Sequence, residues 1–208
     1  MESLGKIFGS KYRVKIMRLF LFNETTAFDI DDVINRSRVK KDQAKKEVTM
    51  LLKIGFLKKK IFAKKVLQKT TKKNTEPRYK SIKKNGWALN TRFKLIQPLR
   101  TLLLDSELVH EKHIIQQLRK SGTITLLVLS GLFLKDMNRK LDILIVGKKL
   151  KRDILIREIN IIESEIGREL RYAFFDETEF IYRLGMYDKL IRDVLENKHL
   201  KIIHTINY

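Results

Sequence analysis

Two groups of residues in this chain have types and spacings that could do chemistry. The first lies in "LSGLFLKDMNRKLDILIVG", residues 129–147. An apolar run ends in Ser130-Gly131, the chain passes Lys135, Arg139 and Lys140, and a second apolar run carries one acid, Asp142. A small-residue turn beside three cations can hold a phosphate without a metal. The second group is cationic and lies in the first half of the chain: Arg38, Lys40, Lys41, Gln43, Lys45, Lys46 and Thr49, then Lys64, Lys65, Lys69, Lys72, Lys73, Arg78 and Lys80.

The elements that must position the second group come first in the chain. "KYRVKIMRLFLF" has apolar residues at near-helical spacing. In "NETTAFDIDDVINRS", Asp29 is an N-cap with Asp32 three residues on, and Phe28 and Val33 are spaced as a hydrophobic staple. "RVKKDQAKKEVTMLLKIGF" puts Ala44, Val48, Leu51 and Leu52 on one helical face and Lys41, Gln43, Lys45, Lys46 and Thr49 on the other. Gly55 is placed to end that helix. "FLKKKIFAKKVLQ" and "RYKSIKKNGWALN" then read as two strands joined by "KTTKKNTEP". Helix, short helix, helix and hairpin, with the residues "DDVINRSRVKKDQAKKEVTMLLKIGFLKK", resemble a winged helix-turn-helix over about residues 10–90. The junction "LLKIGFLKK" is the most specific part.

That resemblance implies DNA binding, and the charge agrees with it. The whole chain has a formal net charge of +21, yet residues 1–100 hold 27 Lys/Arg against 8 Asp/Glu, and residues 101–208 hold 18 against 16. Residues 58–84 contain 12 Lys/Arg and one acid, Glu76. Such a surface attracts a polyanion and displaces its counterions. The helix could enter a major groove, with Gln43 addressing adenine and the lysines phosphates or guanine. Double-stranded DNA is the expected partner and RNA the alternative. Tyr79 and Trp87 do not form a run of aromatics for stacking unpaired bases.

Residues 95–120 read as a helical connector, in two stretches of about 95–104 and 107–120. It could pack within the chain or pair with its twin in a homodimer. His110 and His113 stand at i, i+3, but no third ligand of suitable spacing accompanies them, so a surface or interface role is expected and no metal site.

The second half orders its elements as strand, strand, helix, strand and two helices, with "KHLKIIHTI" as a last strand or tail. In "LSGLF", "KLDILIVG", "IGRELRYAFFDETEF" and "DVLENKHLKIIH" it resembles a minimal nucleotidyltransferase domain, over about residues 112–206. The family's active members use a Gly-Ser turn, an Asp-x-Asp strand and a third acid. This chain has Ser130-Gly131, Lys140 in place of the first Asp, and Asp142 and Glu169 as the remaining acids. The shape is expected to be kept and the reaction lost. Asp142 would then pair locally, with Lys140 or Arg171, and Ser130, Gly131, Lys135, Arg139 and Lys140 could hold a phosphate without a metal. Magnesium enters only if the domain is active.

The chain has no cysteine, which excludes disulfides and thiolate chemistry. No signal-like or membrane-spanning run is evident, so a cytoplasmic protein without membrane contact is expected. The expected architecture is α+β: a winged helix-turn-helix over residues 1–94, the connector over 95–120, and a nucleotidyltransferase-like α/β domain over 121–208. The favoured reading is a sequence-specific transcriptional regulator whose second domain dimerises or senses a ligand. A nucleotidyltransferase using Asp142 and Glu169, and a protein that coats nucleic acid without preference, are the alternatives.

Overall fold

The computed structural model describes residues 2–67, 79–105 and 109–207. The chain is mixed α+β and divides into two compact units, Met1–Ser106 and Glu107–Tyr208.

The first unit is built on helices α1 (Glu2–Ile7), α2 (Lys11–Phe22), α3 (Ile30–Ser37) and α4 (Lys41–Lys53). Ser10 caps α2 by accepting from Arg13 N at 3.2 Å. The Asp29 carboxylate caps α3 by accepting from Asp32 N at 2.9 Å, while the Asp32 carboxylate accepts from Asp29 N at 3.2 Å. This reciprocal pair satisfies donors that the first helical turn leaves without partners. Phe28 and Val33 share one apolar core with α2 and with Ala44, Val48 and Leu51 of α4. Gly55 takes φ +80° just past α4, where a side chain would be strained.

Strands β1 (Leu57–Leu67) and β2 (Tyr79–Leu89) form an antiparallel hairpin, in register from Leu57↔Leu89 to Leu67↔Tyr79. The segment before α3 joins its edge: Phe28 and Trp87 exchange two backbone hydrogen bonds of 2.9 Å. Gly86 permits this approach, because a Cβ there would collide with the Phe28 carbonyl. The unit closes with α5 (Ile96–Arg100), which continues into a π-helical turn, Thr101–Asp105. Ile96 and Leu103 are buried in the same core as α2 and α4, and the buried Arg18 Nε donates to Leu103 O at 2.9 Å. Residues 95–105 are therefore part of the first unit. The expected connector is divided, because its first half finishes one core and its second half begins another.

The second unit begins with α6 (Glu111–Leu118), whose Ile114 and Leu118 are buried, and a 3-10 turn, Arg119–Ser121. It continues through β3 (Thr123–Leu129), β4 (Ile143–Lys148), α7 (Arg152–Ile166), β5 (Tyr172–Asp176), α8 (Glu177–Gly185), α9 (Lys189–Leu195) and β6 (Leu200–His204). The sheet order is β5-β4-β3-β6. Only β4 and β5 are parallel, and α7 makes the crossover between them. Leu126, Val128, Leu144 and Val146 pack with α8 and α9 through Phe180, Ile191 and Val194. The alternate side chains of β4, Ile143 and Ile145, point to the other face and are fully buried, as are Leu155, Ile159 and Ile162 of α7.

Candidate nucleic-acid interface and the Asp142 site

In the first unit α4 has two faces. Ala44, Val48 and Leu51 are buried, and Glu47 is held there by Arg13, whose Nε donates to Glu47 Oε2 at 2.8 Å. Lys41, Gln43, Lys45, Lys46 and Thr49 are all exposed. Arg38 and Lys40, in the turn before α4, are exposed on either side of the buried Val39. Arg38 has φ +51°, so the turn between α3 and α4 passes through the left-handed region. The seven residues chosen from sequence in this stretch are thus all exposed.

The hairpin differs from expectation at one lysine. Lys65 and Lys80 are exposed, but the Lys64 ammonium lies 2.8 Å from Asp29 Oδ2 and 2.7 Å from Asp32 Oδ1. Burial works against the Asp29 charge, yet the Lys64 ammonium and the Asp32 N–H outweigh it and hold that carboxyl below its ordinary range. Lys64 is likewise held above the usual lysine range by those two acids, against the cost of its burial. It ties the hairpin to the start of α3, and its charge is compensated there by two acids. The signal was present in the sequence, since Asp29 and Asp32 are acids in an otherwise basic half. Lys69, Lys72, Lys73 and Arg78 lie outside the described residues. Tyr79 is exposed and Trp87 half-buried.

In the second unit the acid that an active site would use, Asp142, is fully engaged. Asp142 is 1 % exposed and sits just before β4. Its Oδ1 accepts from Leu132 N and Arg171 Nη2, both at 2.8 Å, and its Oδ2 accepts from Arg171 N at 2.9 Å and Arg171 Nε at 3.1 Å. Desolvation alone would raise the Asp142 pKa, but the Arg171 guanidinium and the two backbone N–H groups bring it below the ordinary carboxylate range. Of the two partners considered for Asp142, Arg171 is the one found.

Several of the phosphate-site residues are engaged in contacts of their own. Ser130 is wholly buried, and its Oγ donates to Leu141 O at 2.7 Å. Gly131 is buried at φ +49°, and a Cβ there would overlap Asp142 Oδ1. Arg139 lies 2.6 Å from Asp136 and 3.9 Å from Asp193, and Asp193 also accepts from Lys140 N at 3.1 Å. Only Lys135 and Lys140 present exposed side chains. Glu169 is exposed and precedes β5 instead of lying on it. Among the described residues no three His, Asp or Glu side chains gather as a metal site. His113 instead lies 3.2 Å from Glu165.

Among the described residues no helix is long and apolar enough to cross a membrane. Comparison with family models, with curated proteins and with solved structures gives no match to this chain.

Proposed function

We propose that the first unit is a winged helix-turn-helix that binds duplex DNA sequence-specifically, and that the chain is a transcriptional regulator. The observation that carries this reading is the two-faced α4. Its apolar side is locked into the core, while Lys41, Gln43, Lys45, Lys46 and Thr49 are exposed on its other side, with Asp42 as the one acid among them. A helix of this kind fits the major groove, where Gln43 can pair with adenine and lysines can reach guanine or phosphate. The hairpin lysines Lys65 and Lys80 add sequence-independent affinity.

We further propose that the second unit is a nucleotidyltransferase-like domain that no longer catalyses and serves dimerisation or ligand sensing. The residues present do not fit the two magnesium ions of that chemistry. The Asp142 carboxylate already accepts four hydrogen bonds, three of them from Arg171, and Lys140 occupies the neighbouring acid's position. A regulator of this kind would act in the cytoplasm as a homodimer on two half-sites.

Selection of bound fragments from sheared genomic DNA, near physiological salt, tests the reading. The expected result is a short enriched motif with two-fold symmetry. Uniform recovery of all fragments would replace the regulator with a protein that coats nucleic acid.

A further inference from the structure

Residues 101–208 are nearly balanced in charge, with 18 Lys/Arg and 16 Asp/Glu. Even so, the second unit gathers two basic segments that are far apart in sequence, Arg119-Lys120 and "KKLKR" at residues 148–152. Three backbone features join them. Thr123 pairs with Lys148 at the end of the β3–β4 ladder, and Lys151 N donates to Ser121 O at 2.7 Å. Gly122 completes the contact, because a Cβ there would come within 2.8 Å of Lys149 O and 3.0 Å of Lys148 O. Two of the six cations are compensated nearby: Lys120 lies 3.1 Å from Glu158, and Lys148 lies 3.1 Å from Glu177. Arg119, Lys149, Lys151 and Arg152 are exposed. Arg152 is steadied over the Phe174 ring at 6.0 Å, and Lys149 holds φ +54°, so the turn has a defined shape.

We propose that this patch is a second phosphate-backbone contact of the chain, on the same nucleic acid that the first unit reads. The inference rests on the DNA-binding reading of that unit. Lysines on surface turns supply point charge without a fixed fork, which suits sequence-independent phosphate binding. A membrane surface is the weaker fit, since it would call for exposed apolar side chains beside the cations and Leu150 is half-buried.

The test titrates the full chain on a short duplex spanning only its selected motif and on a longer one with flanking DNA, across a range of salt. Wild type is compared with the combined variant Arg119→Gln, Lys149→Gln, Lys151→Gln, Arg152→Gln, and with a charge-keeping control, Arg119→Lys, Lys149→Arg, Lys151→Arg, Arg152→Lys. On the long duplex the neutral variant should lose roughly 3.6 from the salt slope, at about 0.9 for each of four contacts, and the control should lose nothing. If wild type reads its motif but the neutral variant matches it on both duplexes, the second contact is refuted and the function of the first unit stands. If wild type binds neither duplex, the DNA reading itself fails and takes the inference with it. Patch-dependent binding to phosphatidylserine vesicles, with DNA binding unaltered, would overturn the inference in favour of a lipid surface.

Discussion

At the scale of single residues, Asp142 shows how a position that suggests catalysis can be occupied by structure. Its carboxylate is buried and its acceptor sites are filled by Arg171 and Leu132. Asp142→Asn would remove the charge and turn an amide N–H₂ toward donors, setting it against the half-exposed Arg171 guanidinium and the Leu132 and Arg171 backbone N–H groups. The expected loss is about 1–3 kcal/mol at neutral pH, measured by urea unfolding. The pH dependence has a definite sign. A carboxyl whose folded pKa lies below its unfolded value stabilises the native state above the unfolded pKa, ~3.9, and that contribution disappears as pH falls below it. Wild type should therefore lose stability more steeply than Asp142→Asn in that acid range. An enzyme would behave differently, because wild type would incorporate labelled nucleotide with magnesium or manganese and the variant would not. Neither protein is expected to incorporate any.

At the scale of elements, Lys64 distinguishes a tie from a contact. It joins β1 to the N-cap acids of α3, whereas Lys65, next in the strand, points to the opposite face and is exposed. Lys64→Ala should lower stability by about 1 kcal/mol and leave the salt slope of DNA binding unchanged. Lys65→Ala should leave stability unchanged and reduce the slope by roughly 0.9. Matched thermal melts and duplex titrations separate the two. The contribution of the Lys64 pair should persist from above the unfolded aspartate pKa to the unfolded lysine pKa. Asp29 is depressed and loses its part as pH falls, while Lys64 is raised and loses its part as pH rises. The elements themselves were largely legible in sequence. The apolar spacing of Ala44, Val48 and Leu51 and the glycine at 55 bound α4, and the Asp29–Asp32 spacing starts α3, because helix caps and periodicity are local signals. What was not legible is long-range. The Phe28–Trp87 bridge, the Arg13–Glu47 pair and the division of residues 95–120 between two cores depend on partners distant in sequence. Gly86 was a clue, since a glycine inside a strand marks a close backbone approach. The Asp142 site was half legible: Arg171 could be named as a partner, but not that it would fill both carboxylate oxygens.

At the scale of the whole molecule, charge and recognition are separable properties. On the proposed reading, the basicity of the first half would set how strongly any duplex is held, while sequence preference would come from the few side chains that reach base edges. On the proposed interface Arg38, Lys40, Lys41, Lys45, Lys46, Lys65 and Lys80 are exposed cations, and Gln43 is the neutral residue among those of α4 able to make a paired contact with adenine. If all seven cations meet phosphates, log K should fall with log salt at a slope of roughly −6. Lys45→Ala and Lys46→Ala should each reduce that slope by roughly 0.9 and weaken the selected motif and a scrambled duplex alike. Gln43→Ala should leave the slope untouched and cost about 1–3 kcal/mol on the motif alone, narrowing the ratio between motif and scramble. The measurement is a titration of both duplexes at several salt concentrations with the three variants. A Gln43→Ala protein that lost affinity equally on both duplexes would place recognition elsewhere than α4. Lysine variants that altered the ratio would show that base reading and charge share the same side chains.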